Sequence, residues 1–163
     1  MLSRARTLAR GEIEQRIPHH GNMCLLDTVL AWDSDSITCE ASSHRAADNP
    51  LRAQDRLGAA CGVEYAAQAM AVHGALVAEH QQGANANRSA PRAGYLASLR
   101  GVDLHVDRLD NVPGPLTVRA ERVTGDDSTV LYSFSVHDGA RALVSGRAVV
   151  VLDAAAISTK AAP

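Results

Sequence analysis

Between Leu57 and His80 the chain runs without a proline, rich in Ala, Val, Leu and Met and poor in charge. Ala-rich, unbroken segments of this length favour helix. The apolar positions go nearly all the way round, so such a helix must be buried on most sides. No other segment matches it. One apolar helix with no helical partner needs a sheet as its cover, and that requirement constrains the whole fold.

The flanks supply the strands. Met23–Ala31 (MCLLDTVLA) and Ser36–Ser42 (SITCEAS) read as a strand pair around the polar turn WDSDS. His44–Arg56 is polar, holds a proline and reads as loop, as does QQGANANRSAPRAG after the helix. Four strand-like runs follow: Tyr95–Val106, with Gly101 as a bulge candidate; Leu116–Val123; Thr129–His137; and Arg141–Leu152. Asp138-Gly139 between the last two is a hairpin signal. Successive hairpins make an antiparallel sheet. The expected class is therefore α+β, with a curved antiparallel sheet wrapped around one long central helix. The expectation is a single domain over 1–163, with its core at about 17–152 and with 1–16 and 153–163 as flexible or peripheral ends.

Composition narrows the function classes. The 163 residues carry a formal net charge of -2, which argues against a nucleic-acid binder. Aromatics are 3%, so the core must be aliphatic and Ala-rich. Cys24, Cys39 and Cys61 form neither a disulfide framework nor a zinc motif and read as small buried hydrophobes. No apolar run reaches membrane-spanning length, and the basic start lacks the apolar segment of a secretory signal. A cytoplasmic location is the expectation. No metal-ligand, phosphate-loop or nucleophile-elbow motif is present, and no cofactor or metal is indicated.

Motifs in this order resemble those of the hotdog-fold β-hydroxyacyl-acyl-carrier-protein dehydratases. The stretch IPHHGNMCLLDTVLAWD (Ile17–Asp33) is similar to their Pro-His opening, and GVEYAAQAMAVHG (from Gly62) to their central-helix signature. The SHR…NPLR loop and APRAGYLASLRGVDLHVDRL look closest to dehydratase-like proteins of aryl-polyene clusters. The resemblance covers about Ile17 to Leu152 and implies a hotdog fold, a homodimer or a heterodimer with another hotdog subunit, and an acyl carrier protein bearing the thioester substrate. In that family the helix Glu is half of a catalytic dyad, and a His from the partner protomer is the other half. That Glu corresponds to Glu64.

Dehydrating a 3-hydroxyacyl thioester takes a base for the C2 proton, an acid for the leaving hydroxyl and donors for the enolate-like oxygen. Glu64 suits the acid if burial keeps it protonated. Otherwise it is a carboxylate favoured by the helix dipole. Gly62 and Val63, at the helix start, are candidates for backbone donors to the thioester oxygen. Gln68 falls one turn past Glu64 and reads either as a substrate-binding group or as a satisfied buried amide. His19, in the Pro-His opening, is the first choice for the facing base and His44 the second. The family's usual catalytic His is missing, because the corresponding count lands on Asn49-Pro50. Asn49 reads as a carbonyl or hydroxyl ligand or as a turn residue. Three functions stay open: a dehydratase, a non-catalytic subunit completing a heterodimer, and an acyl thioesterase. Arg45, Arg52, Arg56, Arg88 and Arg92 are expected to attract an acidic carrier.

Overall fold

The computed structural model describes residues 7–82 and 94–152. Its seven strands are β1 (Leu8–Ala9), β2 (Thr28–Trp32), β3 (Ser36–Ala41), β4 (Tyr95–Leu104), β5 (Leu116–Gly125), β6 (Thr129–Asp138) and β7 (Arg141–Val151). Its helices are α1 (Arg10–Glu14) and α2 (Gly62–Gln82). The strands form one sheet in the order β1-β2-β3-β5-β6-β7-β4, antiparallel throughout. The long helix leaves β3 and delivers the chain to the far edge, where β4 pairs with β7. This is the hotdog arrangement.

Helix α2 lies against β3, β5 and β6. Tyr65, Ala66, Ala69, Val72 and Leu76 pack on the inward row of the sheet, Val118, Ala120, Tyr132, Phe134 and Val136. Helix and sheet come close because Gly62 has no side chain. A Cβ there would stand 2.9 Å from Val144 Cγ2. The sheet covers one side only. Val63, Glu64, Ala67, Ala71, Gly74 and Ala75 stay half-buried, so the helix is less enclosed than its apolar composition predicts.

Two segments differ from the sequence expectation. The first is Met23–Asp27, read above as the start of a strand. Side chains take its backbone groups instead: Gln68 Oε1 accepts from Leu25 N at 2.9 Å, Gln68 Nε2 donates to Met23 O at 2.9 Å, and Ser43 Oγ donates to Leu25 O at 2.8 Å. The strand begins only at Thr28. The second is the amino-terminal arm. Leu8 pairs with Val29 across β1 and β2, and Leu8 and Ile13 are buried in the core. The Gly101 bulge and the Asp138-Gly139 hairpin are both present, with φ of 55° at each glycine.

A loop anchor fixes the lead-in to α2. Asp110 accepts from Leu57 N at 2.9 Å and pairs with Arg108. The Arg108 guanidinium holds the Asp110 carboxyl well below the usual carboxylate range. Among the described residues no helix is long and apolar enough to cross a membrane.

The core holds two buried imidazoles. His73 is 1% exposed, with Nε2 2.9 Å from Asp33 O and Nδ1 2.7 Å from Tyr132 Oη. A carbonyl can only accept, so Nε2 carries a proton. Burial favours the neutral ring, and in that form Nδ1 accepts from Tyr132. Burial depresses the pKa of His73 and of His44. For a His with a depressed folded-state pKa, the unfolded chain binds protons first as pH falls. Stability should hold above about pH 6.5, the unfolded value, and decline below it. Urea melts across that range check this, and His73→Gln should flatten the decline; an unchanged slope would remove His73 as a source.

Candidate active site

The loop Ile17–Asp27 has almost no regular structure, yet it is tightly held. Arg10 Nη2 donates to Gly21 O at 2.6 Å and to Cys24 O at 2.8 Å. The same guanidinium lies 3.4 Å from Glu14 and 3.5 Å from Asp27. Asn22 Nδ2 donates to Asp48 O at 3.1 Å, and Gln68 grips Met23 and Leu25 from below. Three anchors from three parts of the chain fix a segment that has no ladder of its own. Sequence reading passed over Arg10. Its only local signal was the Arg10–Glu14 spacing of a helical ion pair.

The fixed loop carries His19 to the head of α2. His19 Nε2 stands 3.6 Å from Glu64 Oε1, with side chains 30% and 42% exposed. The separation is that of an ion pair, slightly long for a hydrogen bond. His19 Nδ1 is buried and has no hydrogen-bond partner among the described residues. Imidazole and carboxyl so placed can pass a proton between them once they close to hydrogen-bond distance or share one water. Glu64 is wetter than its apolar helix implied, because it lies on the side of α2 that the sheet leaves open.

The other candidates lie elsewhere in the local fabric. Gln68 is 1% exposed and both ends of its amide are committed to the His19 loop. The Gly62 N–H donates back to Ala59 O in the 3-10 turn that leads into α2, and its Cα faces Val144. Val63 is half-buried against the core. His44 is fully buried, with Nε2 3.0 Å from Val112 O. Asn49 donates to Ser43 O at 2.9 Å and to Tyr65 Oη at 3.1 Å, and its Oδ1 accepts from Leu51 N at 2.9 Å. Ser43 spends its one hydroxyl proton on Leu25 O, so Tyr65 Oη donates to Ser43 Oγ across 2.8 Å. Asn49, Tyr65 and Ser43 thus lock the NPLR loop to both the helix and the His19 loop. Arg52 Nε is turned to Ala46 O at 2.8 Å, while Arg88 and Arg92 lie outside the described residues.

A profile of the ApeP-like proteins, described as ApeP dehydratase, matches residues 11–159. The chain belongs to the ApeP-like dehydratase family. No curated protein matches its sequence significantly. Among solved structures, this ApeP-like chain is similar to the dehydratase heterocomplex ApeI:P of Xenorhabdus doucetiae. The TM-score is 0.78 at 18% identity, covering 92% of this chain and 97% of that one. It is also similar to a mutant thioesterase of Pseudomonas aeruginosa, with a TM-score of 0.56, 15% identity and coverage of 90% and 94%. The PaaI protein of the E. coli phenylacetic acid degradation operon gives a TM-score of 0.53, 12% identity and coverage of 76% and 80%. At these identities the structural likenesses establish the hotdog fold. The family assignment rests on the sequence profile.

Proposed function

We propose that this ApeP-like chain acts in eliminating water from a 3-hydroxyacyl group held as a thioester on an acyl carrier protein, giving the 2-enoyl thioester. The observation that carries the reading is the His19–Glu64 pair, 3.6 Å apart at the head of the central helix. In the proposed reaction His19 takes the C2 proton and Glu64 gives a proton to the departing 3-hydroxyl, which leaves as water. Transfer of the captured proton from His19 to Glu64 then resets the pair, so the cycle needs no co-reactant. A carboxyl that must stay protonated needs dry surroundings. In the single chain Glu64 is 42% exposed, which favours a second hotdog subunit as the cover.

Asn49 supports a second reading. It stands where the dehydratase resemblance calls for a catalytic His, and its amide is fully engaged in holding the loop. On that reading the chain is a non-catalytic subunit shaping the site of an active partner. One assay separates the two: dehydration of a carrier-bound 3-hydroxyacyl thioester by the chain alone, and by the chain paired with an active hotdog dehydratase. The expected result is weak turnover alone and at least about a tenfold gain on pairing. An active pair that tolerates Glu64→Gln would assign the chemistry to the partner. No turnover in either form would end the dehydratase reading.

A further inference from the structure

The sheet face turned away from α2 carries a polar cleft. Tyr132 and Phe134 pack toward the helix, and they pair with Ala148 and Gly146. Side chains alternate along a strand, so Ser133, Ser145 and Arg147 point the other way. Arg100 pairs directly with Arg147, and Arg147 with Ser133, so both guanidiniums lie on that outward face. Together with Ser133, Ser145, Gly101 and Gly146 they line an open cleft of about 400 Å³. The two glycines add no side chain to fill it.

Directly opposed like charges destabilise a sheet. Another arginine of this face is neutralised within the chain. Arg119, outward through its pairing with Ser135, donates to Thr38 Oγ1 at 3.3 Å and lies 3.7 Å from Glu121. Arg100 and Arg147 have no hydrogen bond or ion pair among the described residues. Asp103 is on the same face, opposite Ser145, but a bulge separates it from Arg100 and it pairs with neither guanidinium among the described residues. His105 Nε2 is 3.4 Å from Ser145 Oγ, at that end of the cleft.

Charge and donor count select the ligand. Two guanidinium forks and two hydroxyls offer more donors than the two oxygens of a carboxylate can accept. A phosphate monoester presents three acceptor oxygens and a charge of about -1.5 to -2, which matches two arginines. Arg holds such a group through paired bonds, which a lysine cannot do. The phosphate takes up only part of the cleft and leaves room for the rest of a small ester. The sheet stands between this cleft and α2, so the ligand is not the acyl group that the His19–Glu64 pair would process.

We propose that the cleft is a binding site for a small phosphate monoester, with the phosphate between Arg100 and Arg147 and the hydroxyls of Ser133 and Ser145 as further donors. The bound dianion turns an opposed pair of like charges into a bridged one.

The test is the melting temperature of the full chain at fixed ionic strength, as inorganic phosphate or glycerol phosphate replaces chloride. Wild type should gain about 3–6 °C at about tenfold excess over Kd, and the gain should saturate. In chloride alone Arg147→Gln should melt no lower than wild type, because it removes one of two opposed charges. In phosphate it should melt below wild type, because the gain is lost. Arg100→Gln should show the same inversion, and it covers the case in which Arg147→Gln misfolds. Dimethyl phosphate, with one charge and two terminal oxygens, should bind at least about tenfold more weakly. A wild-type gain that is absent or does not saturate would overturn the site. So would a gain that survives in both variants, which would put the ion elsewhere, or variants that melt lower by the same margin in both buffers, which would make the arginines structural. A diester as tight as the monoester would overturn the choice of ligand. None of these readings uses turnover, so the dehydratase reading is judged separately.

Discussion

Glu64→Gln should lower dehydration by a factor of about 10² to 10⁴ while leaving the melting temperature within about a degree of wild type. The amide is nearly isosteric with the carboxylic acid but cannot give up a proton, so general acid catalysis is lost. The side chain is 42% exposed and, among the described residues, makes no hydrogen bond that holds the fold, which is why stability is spared. His19→Gln should cause a loss of similar size. The double variant should cost little more than either single one, because the two groups act as one unit. Additive losses would mean two independent roles. Normal turnover by Glu64→Gln, in the paired form, would make Glu64 structural and hand the chemistry to the partner subunit.

Gln68→Leu should act through the fold first. The volume is kept, but Leu25 N loses its acceptor in a buried position and Met23 O loses its donor. A buried, unsatisfied backbone group costs about 1–3 kcal/mol. Met23 is 49% exposed, so its carbonyl regains water and most of the loss comes from Leu25. The same change frees one of the anchors of the His19 loop. A displacement of about 1 Å at a reacting group can cost about 10²-fold in rate, so turnover should fall with stability rather than in its place. Hydrogen exchange at the Leu25 amide reports the clamp directly and needs no substrate. If that amide stays protected in Gln68→Leu, the clamp is not what holds the loop. If it opens while turnover is unchanged, the loop does not position His19.

These two variants mark how far the sequence could be read. Glu64 and Gln68 lie one turn apart in a helix signature, and the family resemblance offered both as candidate site residues. The fold separates them. Glu64 is on the open side of α2, where His19 can reach it, while Gln68 is turned under the loop and is used up by Met23 and Leu25. Asn49 was open to two readings for the same reason. A polar residue type states what it can bond to, and only its neighbours state which bond it makes. Arg10 shows the converse. Nothing near it in sequence indicates that it reaches Gly21 and Cys24, because those carbonyls lie 11 and 14 residues away and only the folded loop brings them to it.

By itself the sequence determined the architecture. An unbroken apolar helix, two strand-like runs before it and four after it leave few ways to bury the apolar surface. Those patterns are local, fixed by periods of 3.6 and 2 residues. The sequence also located His19 and Glu64 as the acid–base candidates, through a family motif. Only the tertiary structure decided that their side chains meet at 3.6 Å and that the pair stays half-open to water. It also decided that β4 ends the sheet with its leucines uncovered and Arg100 beside Arg147. Such features depend on groups far apart in the chain, and a distance between them exists only once the backbone between them has folded.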